Sequence, residues 1–147
     1  MLLLGVKNFT SQDVLAGGLI NLGQVDRRYC RKNTCGIRTF DFAGSSITLN
    51  HSGIYKITAT ATFTAPVPGD VTISLFENGV AIPGASATET ITTATTESRS
   101  IALDYFVLVD SGCVLGVNTT IGKTITLVNT GVASTITNVV VDVVKVG

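Results

Sequence analysis

His51 is the only histidine in the 147 residues, and Cys30, Cys35 and Cys113 are the only thiols. A histidine base works with a nucleophile beside it and an acid to orient its ring. The sequence offers neither a Gly-x-Ser-x-Gly elbow nor a glycine-rich phosphate loop, and its acidic residues form no suggestive pair. His51 falls within Asn50-His51-Ser52-Gly53, so its ordinary reading is a turn position. Zinc takes about four ligands. Cys30, Cys35 and the distant His51 fall short of that number. If a three-fold oligomer placed His51 near its axis, three copies would offer a metal site. Three cysteines cannot all pair within one chain. Cys30 and Cys35 are close enough in sequence for a disulfide, yet free thiols are the ordinary reading in a chain with no export signal. No catalytic, cofactor-binding or metal residue is therefore expected.

The elements around these residues are strands. From Tyr55 to Ala65 the chain alternates without a break. Tyr55, Ile57, Ala59, Ala61, Phe63 and Ala65 face one way, and Lys56, Thr58, Thr60, Thr62 and Thr64 the other. That is the period of a β-strand. At roughly 3.3 Å per residue it is long enough to cross a whole sheet. Gly53 and Pro66 bracket the run. Shorter alternating runs lie at Ile37–Phe42, Ile47–Leu49, Val71–Leu75, Cys113–Val117 and Thr124–Val128, with a short strand at Leu19–Leu22. Turn signals separate them: Ala43-Gly44-Ser45-Ser46, Pro68-Gly69-Asp70, Pro83-Gly84, Ser111-Gly112 and Asn129-Thr130-Gly131. Asn78-Gly79 between two strand-like runs is a hairpin signal, because both turn positions favour positive φ. Ala85–Thr96, rich in Ser, Thr and Ala, reads as an exposed edge strand or loop. About ten short strands with no helix predict an all-β sandwich or barrel.

Two strands are apolar on both faces. In Ser98–Asp110, residues Ile101, Leu103, Tyr105, Val107 and Val109 form one face; Ala102, Phe106 and Leu108 form the other, broken by Asp104. In the last strand Thr137, Val139, Val141 and Val143 oppose Val140, Val144 and Val146, with Asp142 among the latter. A strand at the surface of a monomeric sandwich has a polar outer face. Each outward Val or Phe left wet forgoes about 1.5–3 kcal/mol. Charged residues make up only 14% of the chain, where about 25% is usual. Both facts predict that a neighbouring subunit covers one face of the sandwich.

The formal net charge is zero, which argues against broad nucleic-acid binding. Arg27, Arg28, Arg31, Lys32 and Arg38 nevertheless hold half of the ten basic residues. They read either as a solvated loop or as a patch for an acidic partner: a capsid surface, a polyanionic glycan or nucleic acid. No apolar run is long enough to span a membrane, and Met1-Leu2-Leu3-Leu4-Gly5-Val6-Lys7 lacks the form of a signal peptide. Synthesis and folding in the cytosol are the expectation. Asn8-Phe9-Thr10 and Asn118-Thr119-Thr120 match the glycosylation pattern by chance on that reading. Residues 1–17 are short and turn-prone, and read as an N-terminal arm ahead of a domain at 18–147.

Gly53-Ile54-Tyr55, Pro68-Gly69-Asp70-Val71, Glu77-Asn78-Gly79 and Val109-Asp110-Ser111-Gly112 resemble the globular heads of complement q-subcomponent and the tumour necrosis factor superfamily. The resemblance covers roughly residues 18–147. It implies a ten-strand jelly roll, trimeric through its inner sheet. By position, Ala102, Asp104, Phe106 and Leu108, with Val140, Asp142 and Val144, would line the trimer interface. The chain departs from animal members in having no collagen stalk and few aromatics. Its Thr/Ala/Val texture is more similar to short proteins of bacteriophages and Gram-positive bacteria that use this fold as virion or surface knobs. The resemblance therefore implies a non-enzymatic homotrimer. It would be a virion component made in the bacterial cytoplasm that decorates or stabilises a capsid, with residues 1–17 docking on the shell. The alternative is a receptor- or glycan-binding knob that recognises a cell-surface glycan through loops 27–36 and 85–96.

Overall fold

The computed structural model describes residues 2–29, 39–114, 117–120 and 122–147, with 111–114 and 117–120 as backbone only. The strands are β1 (Leu2–Asn8), β2 (Gln12–Val14), β3 (Gln24–Tyr29), β4 (Phe40–Phe42), β5 (Ile47–Leu49), β6 (Gly53–Thr64), β7 (Gly69–Glu77), β8 (Val80–Ile91), β9 (Arg99–Val109), β10 (Ser111–Val114), β11 (Val117–Thr120), β12 (Lys123–Asn129) and β13 (Ser134–Lys145). Among the described residues no helix is long and apolar enough to cross a membrane.

Two sheets pack face to face. The front sheet runs β3-β1-β13-β6-β9, with β2 taking over from β1 farther along β13; the back sheet runs β4-β5-β12-β7-β8. All the pairings are antiparallel. A short β10–β11 hairpin stands apart. Alternation puts Tyr55, Ile57 and Phe63 of β6, with Val139, Val141 and Val143 of β13, onto the back sheet's Val71, Ile73, Leu75, Ile125 and Leu127. Phe40 and Tyr55 close one end edge to face, with ring centroids 5.9 Å apart. The Tyr55 hydroxyl donates to the His51 carbonyl at 2.6 Å, and burial pushes its phenol up to about 12. Asn78 (φ 51°) and Gly79 (φ 79°) make the β7–β8 turn as the sequence predicts.

The expected N-terminal arm is instead part of the domain. Leu4 and Val6 are fully buried, and β1 lies between β3 and β13. The apolar Leu2–Val6 run is too short to show a period by itself, and the polar residues after it are where β1 breaks before β2 resumes the ladder. The basic segment also differs from a loop: Arg27 and Arg28 lie in β3, and Arg31, Lys32 and Arg38 fall outside the described residues. The strand read at Leu19–Leu22 is a single bridge, Leu19 to Val128. Ser111-Gly112, read as a turn, opens β10. Residues 85–91 lie in β8, the edge strand of the back sheet. In β13 the ladder slips between Ile136 and Asn138, so Ile136 is buried and Thr137 is exposed.

Candidate assembly face

The outer face of the front sheet carries the residues that the sequence singles out. Strand β6 lies between the two-faced strands β13 and β9, and its Lys/Thr side faces the same way as theirs. Pairing arranges this face in transverse rows. One row is Tyr29, Leu3, Val144, Lys56 and Phe106. The next is Arg27, Gly5, Asp142, Thr58 and Asp104, and a third is Gln24, Lys7, Val140, Thr60 and Ala102. Beyond the first row Ile54 pairs with Leu108. Beyond the third, Thr62 and Ser100 join their hydroxyls at 2.9 Å. The face thus grades from apolar through charged to hydroxylic.

Ala102, Asp104, Phe106 and Leu108 are all exposed, Asp142 is exposed, and Val140 and Val144 are half-buried. The fold brings these seven onto one surface, with β6 intervening. Lys56 Nζ lies 3.4 Å from Asp104 Oδ2. Lys7 Nζ lies 2.8 Å from Asp26 Oδ1, and this bonded ammonium holds Asp26 below the usual carboxylate range. Asp26 is the residue skipped where the β1–β3 register slips. Lys7 also sits over the Phe9 ring, 5.6 Å from its centroid. At Gly5 a Cβ would stand 2.8 Å from Asp142 Oδ1, so the Asp142 carboxylate occupies the space that a larger residue would need.

Sequence reading missed Leu3, Gly5, Ile54 and Tyr29 on this face. Leu3 and Gly5 lie within the segment expected as an arm, in an apolar run too short to show a period. Ile54 precedes the alternation that starts at Tyr55, and Tyr29 stands among basic residues with no alternation to mark its face.

His51 is half-buried at the β5–β6 corner, its Nδ1 3.1 Å from the Thr39 hydroxyl. Among the described residues no three His, Cys, Asp or Glu side chains gather as metal ligands do. Cys30 and Cys35 lie outside the described residues, and only the backbone is described at Cys113.

No protein-family model and no curated protein matches the sequence. Solved structures do. The globular domain of zebrafish complement 1qA protein covers 100% of this chain and 98% of its own at TM-score 0.63 and 8% identity. The fold is a tumour-necrosis-factor-like jelly roll. Murine APRIL matches it at TM-score 0.63 and 12% identity over 99% of this chain and 98% of that chain. PRD1 vertex protein P5 matches at TM-score 0.54 and 16% identity over 99% and 97%.

In this jelly roll the back sheet's outer face is a hydroxyl lattice: Thr72 to Thr88 at 2.7 Å, Thr90 to Asp70 at 2.6 Å and Ser74 to Thr130 at 2.8 Å. The β8–β9 turn is closed by Glu97, which accepts from the Thr92 and Thr93 amides at 2.5 and 2.9 Å and from Arg99 at 2.7 Å. The Thr93 amide, then Arg99 and the Thr92 amide, hold the Glu97 carboxyl down to about 2. These polar surfaces hold their own side chains together. The apolar end of the front face does not.

Proposed function

We propose that this chain is a non-enzymatic structural protein of a bacteriophage virion. In this reading it assembles as a homotrimer through the outer face of its front sheet and decorates or stabilises the capsid as a head-decoration or head-fibre protein. The observation that carries the reading is the apolar end of that face, where Phe106 and Leu108 stand 59% and 50% exposed beside Ile54. Covering three such half-exposed side chains returns about 1 kcal/mol apiece. Small patches on monomers carry no such expectation, but this one is continuous with β13 and is framed by polar residues. A second copy of the chain supplies a matching apolar surface of the same area. The likeness over 99% of the chain to a protein named a vertex protein supports the virion assignment, as does the Thr/Ala/Val texture. Since Leu2–Asn8 and Gln12–Val14 are strands of the front sheet, docking on the shell is not assigned to them.

Light scattering tests assembly. Three chains of 15.3 kDa give 3 × 15.3 = 45.9 kDa, and Phe106→Asp is expected to return a folded 15.3 kDa species. A wild-type protein of single-chain mass would refute the trimer. Co-sedimentation with capsid shells of the phage that encodes the chain tests decoration, and a protein left in the supernatant at saturating shell would refute it.

A further inference from the structure

The rows of the front face end in groups that complement one another. At the β9 end stand Phe106, Asp104 and Ala102; at the β3 end of the same rows stand Tyr29, Arg27 and Gln24. We infer that in the trimer, on whose proposal this inference rests, the β9 edge of one copy abuts the β3 edge of the next, pairing Asp104 with Arg27 and packing Phe106 on Tyr29.

Geometry supplies the first reason. A rotation about an axis that runs along the strands moves a residue around the ring but not along the axis. The β9 end of any row therefore meets the β3 end of the same row on the neighbouring copy. Neighbouring rows on this face are two residues, about 7 Å, apart. A slip by one row would set Asp104 against Tyr29 or Gln24 and strand the Arg27 charge in the contact.

Chemistry supplies the second. The in-register match puts carboxylate against guanidinium and ring against ring. Both are pairings that gain when water is excluded. The out-of-register match desolvates the two ions with only their intrachain partners, Asp26 at 3.6 Å and Lys56 at 3.4 Å, to offset the cost.

Availability supplies the third. The Arg27 side chain is 77% exposed, and its one ion pair among the described residues is with Asp26, at 3.6 Å. The Asp104 side chain is 53% exposed, with Lys56 on one side of it. A guanidinium from the neighbour would complete a cation–anion–cation sequence across the seam. The Phe106 and Tyr29 rings are both exposed. Beside Arg27 in the charged row, Gly5 leaves its Cβ position to the Asp142 carboxylate, which adds a second anion to that row.

Charge reversal tests the pairing, read as mass by light scattering at fixed protomer concentration, with circular dichroism to follow the fold. Asp104→Arg alone and Arg27→Asp alone are each expected to raise the protomer concentration at half-dissociation by about 100-fold or more, since like charges then face each other at every seam. The double variant Asp104→Arg/Arg27→Asp is expected to restore the three-chain mass. Both groups are exposed on the single chain, so the strand signal in circular dichroism should persist throughout. Single variants that remain three-chain species at wild-type concentrations would overturn the pairing and leave the trimer standing. So would a double variant that stays dissociated or unfolded. Wild-type protein of single-chain mass would instead remove the trimer itself.

Discussion

Replacing Asn129 tests how the end of the sandwich is held. Its side chain is fully buried where β12 ends. Nδ2 faces the Val132 carbonyl at 2.8 Å, the Ser134 hydroxyl at 3.2 Å and the Val14 carbonyl at 3.3 Å, and Oδ1 accepts from the Gly131 amide at 3.1 Å. One amide thus ties the back sheet to β2 and β13 of the front. Two N–H groups can fully satisfy two of the three acceptors, so the side chain makes about three hydrogen bonds. Among the described residues no buried side-chain polar atom is left without a partner. Asn129→Ala removes those bonds and orphans buried backbone groups. At about 1 kcal/mol for each bond the loss is about 3 kcal/mol, a large share of a domain's 5–15 kcal/mol. Asn129→Asp is the sharper variant because it keeps the size and the acceptor for Gly131 but gives up both donors. Its carboxylate would face three oxygens, which raises its folded pKa above the unfolded value. The deficit should therefore be smallest below the unfolded pKa, near pH 4, and grow as pH rises through the folded one. Urea unfolding at fixed protein concentration, at pH 4 and 7, measures both. An Asp variant as stable as wild type at pH 7 would refute the view that the Nδ2 donors hold this corner.

Two further outcomes follow from local geometry. The Glu97 carboxyl is held down to about 2 from 4.5, so its contribution is present above the unfolded value and is lost as pH falls through the folded one. The protection of the Thr92 and Thr93 amides, relative to intrinsic exchange at the same pH, should fall over that window in wild type and be low throughout in Glu97→Gln; equal protection in the variant would contradict the bonding described. Gly79, at φ 79° with open space around its Cα, should tolerate Ala sterically yet lose about 1 kcal/mol through its backbone. That is a fall in Tm of about 2–4 °C by calorimetry, and an unchanged Tm would mean the turn reshapes freely.

Much of this fold is legible in the sequence because its long strands carry their burial pattern locally. Tyr55–Ala65 reads as β6, and the two faces of Ser98–Asp110 are those of β9, since a two-residue period needs no knowledge of the partner strand. What is illegible depends on partners far away. Leu2–Val6 becomes a strand only because β13 offers it an edge. Arg27 and Arg28 lie in a strand whose six residues are all exposed and so carry no burial signature. Thr137 turns outward because of one slip in the ladder. Asn129 reads as a turn residue, and nothing adjacent in sequence says that Val14 will be its neighbour. The candidate face was half legible for the same reason: the β9 and β13 residues are marked by apolar side chains in outward positions, whereas their counterparts on β1 and β3 are marked only by register.

The pairing of β1 with β13 also bears on how the chain reaches this state. Leu2 meets Lys145, a separation of 145 − 2 = 143 residues, and β13 fills the slot between β1 and β6. Loop closure over such a distance must precede any reward from the contacts, which places folding at the slow, non-local end of the range for small domains. On the ribosome, β1 and β6 emerge long before the strand that joins them. Until β13 arrives, each presents an unpaired edge to whatever is nearby, including other nascent copies. The strand that closes the front sheet is therefore made after every strand it joins, and only afterwards does a complete outer face exist for another subunit to meet.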